Sequence, residues 1–378
     1  MNPSPDSPRL RRALPLLVAL AIGAAAGAGA YALSSHGSKT TSPAPVVVPA
    51  QRASSTSTSG SLTELYKQDA PGVVDITVQL PSSSGSSGGF PFGNPGGSQK
   101  PQAEGTGFEI DMKGNILTAD HVVDGATSIK VTFQDGSTAK ATLVGGDKST
   151  DTAVIHVDVP ASQLHPLALG DSSAAEPGQT VVAIGSPFGL HETMTAGIVS
   201  ATNRTITALN GFSIPGAIQT DAPINHGNSG GPLIDTATNT VIGINDQILN
   251  AGDTNDNAGV GFSVPINAAK NVAQTLISGG TVQHAYLGVT VARTSVIARL
   301  ACVVNGGPAA SAGLKAGDVI TSLGGKHVAN YDALTAAVSA TKPGEKVTVT
   351  VKRHGSTRSV SVTMGSRPSS TNNNCSNR

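Results

Sequence analysis

A serine flanked by glycines is the residue of this chain best placed to act as a nucleophile. It lies in the segment Gly227-Asn228-Ser229-Gly230-Gly231. A serine hydroxyl attacks a carbonyl when a base takes its proton and backbone N–H groups hold the developing oxyanion. A glycine at position 227 lets its own N–H and that of Ser229 point into one site. The segment therefore predicts a nucleophile at Ser229 and an oxyanion hole at Gly227 and Ser229. The alternative is an ordinary loop, because glycine is abundant, at 45 of 378 residues.

A candidate base and a candidate orienting acid precede this serine. His121 lies in the segment Leu117–Val123, which favours a strand, and histidine is the usual base near neutral pH. Asp151 opens an apolar strand, where a carboxylate can be partly buried beside a histidine and fix its tautomer. The order is His, Asp, Ser with separations of 30 and 78 residues. That is the order of the chymotrypsin-like arrangement, not of subtilisin or the α/β-hydrolases.

Two neighbouring residues compete for these roles. Asp120 adjoins His121, but successive side chains of a strand point to opposite faces, so we expect Asp151 to orient the imidazole. His226 precedes Ser229 by three residues and is too local to the turn to face the hydroxyl well. We expect His226 at the rim of the site, in contact with substrate.

The composition indicates no cofactor and no nucleic-acid partner. The net charge is zero and the chain has no long basic run. Asp253, Asn255 and Asn257 resemble the first three ligands of a calcium loop, but the expected glycine is misplaced and the final glutamate is lacking, so no metal is predicted. The two cysteines, Cys302 and Cys375, lack the spacing of a metal motif. A disulfide between them and a small buried apolar role for Cys302 both stay open.

Short strands surround the candidate residues. Between residues 105 and 265, β-branched and apolar runs alternate with turn signals such as Asp135-Gly136. No helical period of useful length interrupts them, which favours an all-β barrel or sandwich. The capping-box pattern Ser61–Glu64 predicts a short helix before the first strand. Residues 81–101, rich in Ser, Gly and Pro, predict a long loop.

The pattern changes after about residue 281 to that of a small α+β module. Asn330 is placed to cap a helix on which Leu334 and Val338 share one face. Two runs of alternating apolar residues, 347–351 and 360–364, predict the strands that follow. The polar tail at residues 367–378 is predicted to be disordered.

The N-terminus predicts a membrane segment. Three arginines within residues 1–12 precede an uncharged run of 21 residues at positions 13–33. A span needs roughly 20 apolar residues, and basic residues stay on the cytoplasmic side. The sequence predicts a single transmembrane helix with everything beyond it extracytoplasmic, followed by a Ser/Thr/Pro-rich linker at residues 34–60. A cleaved signal peptide is the alternative, because A-x-A sites occur at Ala28–Ala30 and Ala30–Ala32.

Taken together, these motifs resemble the HtrA/Deg family of trypsin-like serine proteases over about residues 62–275. The matching segments are, in the family's order, 105–108, 118–123, 151–155, 185–190, 196–200, 220–232 and 259–265. The resemblance implies two six-stranded β-barrels with the active site between them and a triad of His121, Asp151 and Ser229. Implied substrate contacts, selecting a small to medium apolar residue, are Ile224, Asn225, His226, Gly259, Val260, Gly261 and Phe262.

The C-terminal module resembles a PDZ domain. The resemblance is carried by Tyr286–Val289, Gly307–Leu314 and Ala316–Ile320. Such domains bind a peptide as an added strand and capture its terminal carboxylate with backbone N–H groups. The resemblance implies that Leu287, Gly288 and Val289 supply those groups, with the groove between the next strand and the helix after Asn330.

The expected architecture is mostly β: a double-barrel protease domain at residues 61–278, a PDZ domain at 281–366 and an N-terminal transmembrane helix. The expected function is that of a cell-envelope serine endopeptidase that cleaves unfolded or damaged proteins, with the PDZ domain binding peptide C-termini. The alternative is a PDZ-mediated chaperone or stress sensor with latent or minor proteolysis. By resemblance, a homotrimer is expected.

Overall fold

The computed structural model describes residues 61–81, 102–186, 193–207, 212–225, 227–250, 257–291, 296–368 and 375–376. Several predictions lie outside the described residues: the N-terminal segments, nearly all of the loop at 81–101, His226, Asp253 and Asn255. None of the helices in the described ranges is both long and apolar enough to cross a membrane.

A short helix and a closed six-stranded barrel begin the described chain. Helix α1 begins after Ser61, whose hydroxyl accepts the Glu64 N–H at 3.3 Å as the capping pattern predicts. The barrel closes because apolar side chains such as those of Ile76 and Val131 alternate inward and form one buried cluster. The elements are α1 (Leu62–Asp69), β1 (Val73–Gln79), β2 (Gln102–Glu109), β3 (Asn115–Thr118), α2 (Asp120–Val123), β4 (Ser128–Thr132), β5 (Thr138–Asp147) and β6 (Thr152–Val157), with the strands in the order β1-β2-β3-β6-β5-β4.

His121 lies on a helical turn and not on the predicted strand. Strand β3 ends at Thr118, which pairs with Ala153, and the chain then forms the single turn α2. This turn buries Val122 and Val123 in the barrel core while His121 stays partly exposed. The prediction of a strand to residue 123 was wrong because apolar packing of the two valines is satisfied equally well by a turn.

A second closed barrel of six strands follows. Its elements are β7 (Thr180–Gly185), β8 (Thr193–Thr207), β9 (Ser213–Thr220), β10 (Pro232–Asp235), β11 (Thr240–Asn250) and β12 (Asn257–Pro265), in the order β10-β11-β12-β9-β8-β7. Helix α3 (Ile266–Ile277) comes next and buries Ile266, Ala269, Val272 and Ala273. This helix was not predicted, although its apolar residues recur with helical spacing.

The two barrels share a hydrophobic core. Phe108, Leu117 and Val154 of the first barrel belong to the same buried cluster as Ile184 and Phe262 of the second. Each such buried side chain contributes on the order of 1.5–3 kcal/mol. This shared core fixes the ends of β2, β3 and β6 against the β10–β11 region, where the candidate residues lie.

The C-terminal module is a separate α+β unit with its own core. Its elements are β13 (Ala285–Tyr286), β14 (Val289–Val291), β15 (Leu300–Val304), α4 (Pro308–Ser311), β16 (Val319–Leu323), β17 (Lys326–His327), α5 (Tyr331–Ser339), β18 (Lys346–Arg353), β19 (Ser356–Thr363), β20 (Gly365–Ser366) and β21 (Cys375–Ser376). Asn330 caps α5 by accepting the Ala333 N–H at 3.0 Å. The sheets run β17-β16-β18-β19, β14-β15-β21 and β13-β20.

Part of the tail is ordered, contrary to the prediction of disorder for residues 367–378. Strand β21 pairs antiparallel with β15, with Ser376 opposite Val303. Cys302 on β15 is disulfide-bonded, and Cys375 is the one other cysteine of the sequence. Polar composition alone predicted disorder, whereas strand pairing holds these two residues on the module.

Candidate active site

The loop that carries Ser229 is held tightly against strand β11. The Gly230 N–H donates to the Asn245 carbonyl at 2.7 Å, and the Asn245 N–H donates to the Gly231 carbonyl at 2.8 Å. Gly227 and Gly230 have φ values of 101° and 87°, which favour glycine. Ser229 is 9% exposed, so the loop presents its side chain in a confined space.

Thr106 of the first barrel anchors this loop of the second. Its N–H donates to the Ser229 carbonyl at 2.9 Å and its hydroxyl donates to the Gly227 carbonyl at 2.6 Å. Its own carbonyl accepts the hydroxyl of Thr118 at 2.7 Å. Thr106 was not among the predicted site residues, although it lies within the Gly105–Phe108 segment that resembles the family. Thr106 and His121 both belong to the first barrel, whereas Ser229 belongs to the second. The two hydrogen bonds of Thr106 therefore set the position of the serine relative to the histidine.

His121 and Asp151 are brought together by two hydrogen bonds. The imidazole Nδ1 lies 2.5 Å from Asp151 Oδ2, and the His121 backbone N–H donates to Asp151 Oδ1 at 2.9 Å. Asp151 is fully buried and has a φ of 49°, an uncommon value for a residue with a side chain. Both oxygens of one carboxylate thus fix the ring and the backbone of His121. An imidazole held through Nδ1 has Nε2 left for exchanging a proton with a nucleophile.

Asp120 does not share this contact with the imidazole. Its carboxylate lies over Gly146, where an added Cβ would come within 1.9 Å of Asp120 Oδ1. Burial, with further contributions from the charges of Asp151 and Asp124, raises the pKa of Asp120 to about 7. Asp120 therefore adds to the electrostatic field of the site without orienting the ring.

The charges of the pair oppose the effect of burial. Burial lowers the pKa of His121, but the charge and hydrogen bond of Asp151 raise it, to about 9 when Asp246 and Asp120 are ionised as well. Burial raises the pKa of Asp151, but His121 and hydrogen bonds hold it below its usual value. The ion pair formed when His121 accepts a proton is therefore stabilised inside the protein.

Asp246 on β11 completes the surroundings of these residues. The Ser229 hydroxyl donates to the Asp246 carbonyl oxygen at 3.0 Å. The carboxyl of Asp246 lies with His121 and Asp151 in the one group of three ligand-type side chains, among the described residues, whose atoms all lie within 4.8 Å. A metal ion between His121 and Asp151 would need the space of their 2.5 Å hydrogen bond. The group is thus arranged to handle a proton and not to chelate an ion.

The residues predicted to contact substrate lie on and beside β12. Ile224 is buried, and an added Cβ on Gly261 would come within 2.8 Å of its side chain. Gly261 pairs with Thr220 and Phe262 with Gln219, while Gly259 has a φ of 76°. Val260 packs against the shared core, and Asn225 accepts the Asn228 N–H at 3.0 Å. These contacts place Ile224 beneath a strand segment that has no side chain at position 261.

A groove in the C-terminal module contains the three residues predicted to bind a carboxylate. Leu287, Gly288 and Val289 lie at its edge, and Gly288 has a φ of 77°. The groove has a volume of about 200 Å³ and runs between β14 and α5, where Leu334 and Val338 line it. Phe212 and Ser213 of the second barrel also border it, and the Ser213 hydroxyl lies 2.7 Å from that of Tyr331.

Two closed barrels with a buried Ser and Asp and a partly exposed His between them define a trypsin-like peptidase domain. The family model of the trypsin-like peptidase domain matches residues 105–244, and that of the PDZ domain matches residues 281–364. Among solved structures, "HtrA-type protease AlgW with decapeptide" is 32% identical, covers 82% of this chain and 99% of that chain, and has a TM-score of 0.64. The chain belongs to the HtrA/Deg family of trypsin-like serine proteases with one PDZ domain.

Curated relatives give the same family. A probable periplasmic serine endoprotease, DegP-like, of Halomonas elongata is 42% identical over 293 residues, which are 74% of this chain and 60% of the relative. The serine protease PepD of Mycobacterium tuberculosis is 41% identical over 283 residues, 69% of this chain and 61% of the relative. The chain thus spans about 60% of the length of these curated relatives.

Proposed function

We propose that this chain is a serine endopeptidase in which Ser229 attacks the scissile carbonyl, His121 acts as base and then acid, and Asp151 orients His121. The observation that carries the proposal is the double hydrogen bond from Asp151 to His121, beside a serine loop anchored across the barrels by Thr106. His121 takes the proton of Ser229 as the acyl-enzyme forms and returns it to the leaving amine. The N–H groups of Gly227 and Ser229 hold the oxyanion.

The proposed substrates are unfolded or damaged proteins outside the cytoplasm, with a small to medium apolar residue before the scissile bond. The surroundings of Gly261 support this preference, because the three atoms nearest to an added Cβ there all belong to the apolar side chain of Ile224. Relatives named as periplasmic endoproteases support an extracytoplasmic location. A single-pass anchor at residues 13–33 and a homotrimer belong to the same proposal.

The PDZ groove is proposed to bind peptide C-termini along β14. Leu287, Gly288 and Val289 would receive the terminal carboxylate, and Leu334 and Val338 would contact an apolar side chain. Fluorescence anisotropy should show binding of a peptide that ends in an apolar residue with a free carboxylate. The matched peptide with a C-terminal amide should bind at least tenfold more weakly, and equal affinities would contradict this assignment.

The alternative function, a PDZ-mediated chaperone or stress sensor with latent proteolysis, is favoured by one contact. The Ser229 hydroxyl donates to the Asp246 carbonyl, so attack requires it to turn toward His121. A binding protein that holds its serine in this way would have little activity until a ligand shifts the loop.

Casein degradation by the full-length chain tests the two functions against each other. Wild type and Ser229→Ala are compared with and without the free-carboxylate peptide, and both are treated with a fluorophosphonate probe. Cleavage and labelling by wild type alone support the endopeptidase. Cleavage that appears only with peptide supports the latent form, and a wild type that neither cleaves nor labels under either condition contradicts the proposed peptidase.

A further inference from the structure

A second buried carboxyl lies beside the His121–Asp151 pair. Asp246 is on β11 of the second barrel, and its side chain is 0% exposed. Its Oδ1 lies 3.9 Å from His121 Nδ1. No local pattern in the sequence marks Asp246, because its neighbours come from two segments about a hundred residues earlier in the chain.

Within the described part of the chain, the lack of a donor to this buried carboxyl group indicates its protonation state. No N–H or hydroxyl of the described residues donates to either oxygen of Asp246. A carboxyl oxygen of Asp246, one of Asp151 and a ring nitrogen of His121 all lie within 4.8 Å of one another. Two ionised carboxylates buried this close together repel one another, whereas a proton on one of them removes the repulsion and can be donated to the other.

The surroundings show which of the two groups keeps that proton. Asp151 already accepts two hydrogen bonds from His121, which stabilise its ionised form. Burial, followed by the charge of Asp151, raises the pKa of Asp246 well above its usual value. The titratable groups facing Asp246 are His121 and Asp151, and Asp120 on the histidine's own helical turn adds negative charge to both. The proton therefore belongs on Asp246.

We propose that Asp246 is a positioning residue that stays protonated at neutral pH and donates its O–H to the Asp151 carboxylate. The inference depends on the proposed peptidase function. During acylation one proton passes from Ser229 Oγ to His121 Nε2, and the proton of Asp246 stays where it is. Its hydrogen bond fixes the carboxylate that orients the imidazole.

This arrangement has a consequence for the base. An ionised Asp246 would place a second negative charge 3.9 Å from the imidazole and keep His121 protonated to higher pH. A neutral Asp246 adds no such charge and also draws electron density from Asp151. His121 then loses its proton at lower pH and is available as a base.

Two substitutions separate a neutral donor from an ionised group. Asp246→Asn replaces the carboxyl by an uncharged amide donor of the same shape, and Asp246→Ala removes the donor. The control is Asp235→Asn, because Asp235 is a buried aspartate on β10 whose carboxylate accepts hydrogen bonds from Ala237 and Thr238 of the adjoining turn. The measurement is kcat/KM for a short peptide between pH 5 and 10, with the thermal unfolding midpoint as a check of folding.

We expect Asp246→Ala to lower kcat/KM at pH 7.5 by about tenfold or more, because a hydrogen bond to a charged group is lost. The rising part of its profile of kcat/KM against pH should move to higher pH. Asp246→Asn should retain most of the wild-type kcat/KM and the wild-type pH profile. The control Asp235→Asn should leave both unchanged. If the rising part of the kcat/KM profile of Asp246→Asn shifts by about one unit to lower pH, the substitution has removed a negative charge, and the proposal is overturned. Equal losses in the Asn and Ala variants would overturn it as well.

An infrared measurement tests the protonation state without requiring activity. The difference spectrum of wild type minus Asp246→Asn at pH 7 should contain the C=O stretch of a protonated carboxylic acid. A difference spectrum with only carboxylate bands refutes the inference. If the acid band is present but wild type neither cleaves nor labels, the proposed function fails while the shared proton stands.

Discussion

Replacing Gly230 by alanine should uncouple the serine loop from the first barrel. A Cβ at this position would lie 2.2 Å from the Thr106 carbonyl oxygen and 2.3 Å from Thr118 Oγ1, whereas ordinary contact begins at 3.4 Å. The backbone φ of 87° adds strain of about 1–2 kcal/mol for a residue with a side chain. Relieving the clash requires a shift of about 1 Å, which costs about 1–3 kcal/mol by comparison with overpacked cores.

The free energy of unfolding should therefore fall by about 2–5 kcal/mol, which lowers the unfolding midpoint of a domain of this size by roughly 4–20 °C. Gly125→Ala is the matched control, since Gly125 has a similar φ of 72° but nothing within 4 Å of an added Cβ. It should lose only about 1–2 kcal/mol. Calorimetry of both variants and fluorophosphonate labelling of Ser229 measure the two effects. The reasoning is refuted if Gly230→Ala unfolds no earlier than Gly125→Ala and is labelled at the wild-type rate.

Three further outcomes follow from the site and the PDZ module. Asp151→Asn should lower kcat/KM for a peptide substrate at pH 7 by about 10³–10⁴, because an amide supports the wrong tautomer of His121; a loss below tenfold would contradict the orienting role. The kcat/KM of wild type should rise with pH, with a midpoint above the ordinary 6.5 of histidine and no higher than about 9, because His121 must be neutral to accept a proton. Because the pKa of His121 is raised on folding, its protonation stabilises the fold fully below about pH 6.5, and this contribution is lost as pH rises through about 9. A midpoint of the kcat/KM profile at or below about pH 6.5 would refute the electrostatic reasoning. Arg353→Lys should destabilise the PDZ module by about 1–3 kcal/mol in urea, because Arg353 donates to both oxygens of buried Asp318, at 2.6 and 2.7 Å. Arg358→Lys, at an exposed position, should leave the unfolding midpoint within error, and equal effects of the two substitutions would count against the bidentate bond.

Local signals in the sequence were sufficient for the short-range elements. The cap at Ser61, the hairpin turn at Asp135-Gly136 and the cap at Asn330 each involve residues within four positions of one another, so their chemistry is visible in the chain. The mostly β class was also predictable and is confirmed by the two closed barrels. Helix α3 was not predicted, although its apolar pattern is present in the sequence. The end of β3 at Thr118 could not be predicted in the same way, because it depends on the pairing with β6.

The sequence by itself determined which residue types were available: a glycine-flanked serine, a histidine and an aspartate in a recognised order. The tertiary structure decided what surrounds them. Thr106 bonds the serine loop across 121 residues of chain, and Asp246 lies near His121 and Asp151 only because the second barrel packs on the first. The physical reason is that burial and electrostatic fields depend on all neighbours at once. A carboxyl group that would be ionised in the unfolded chain is held neutral only when folding removes its water and places another charge beside it.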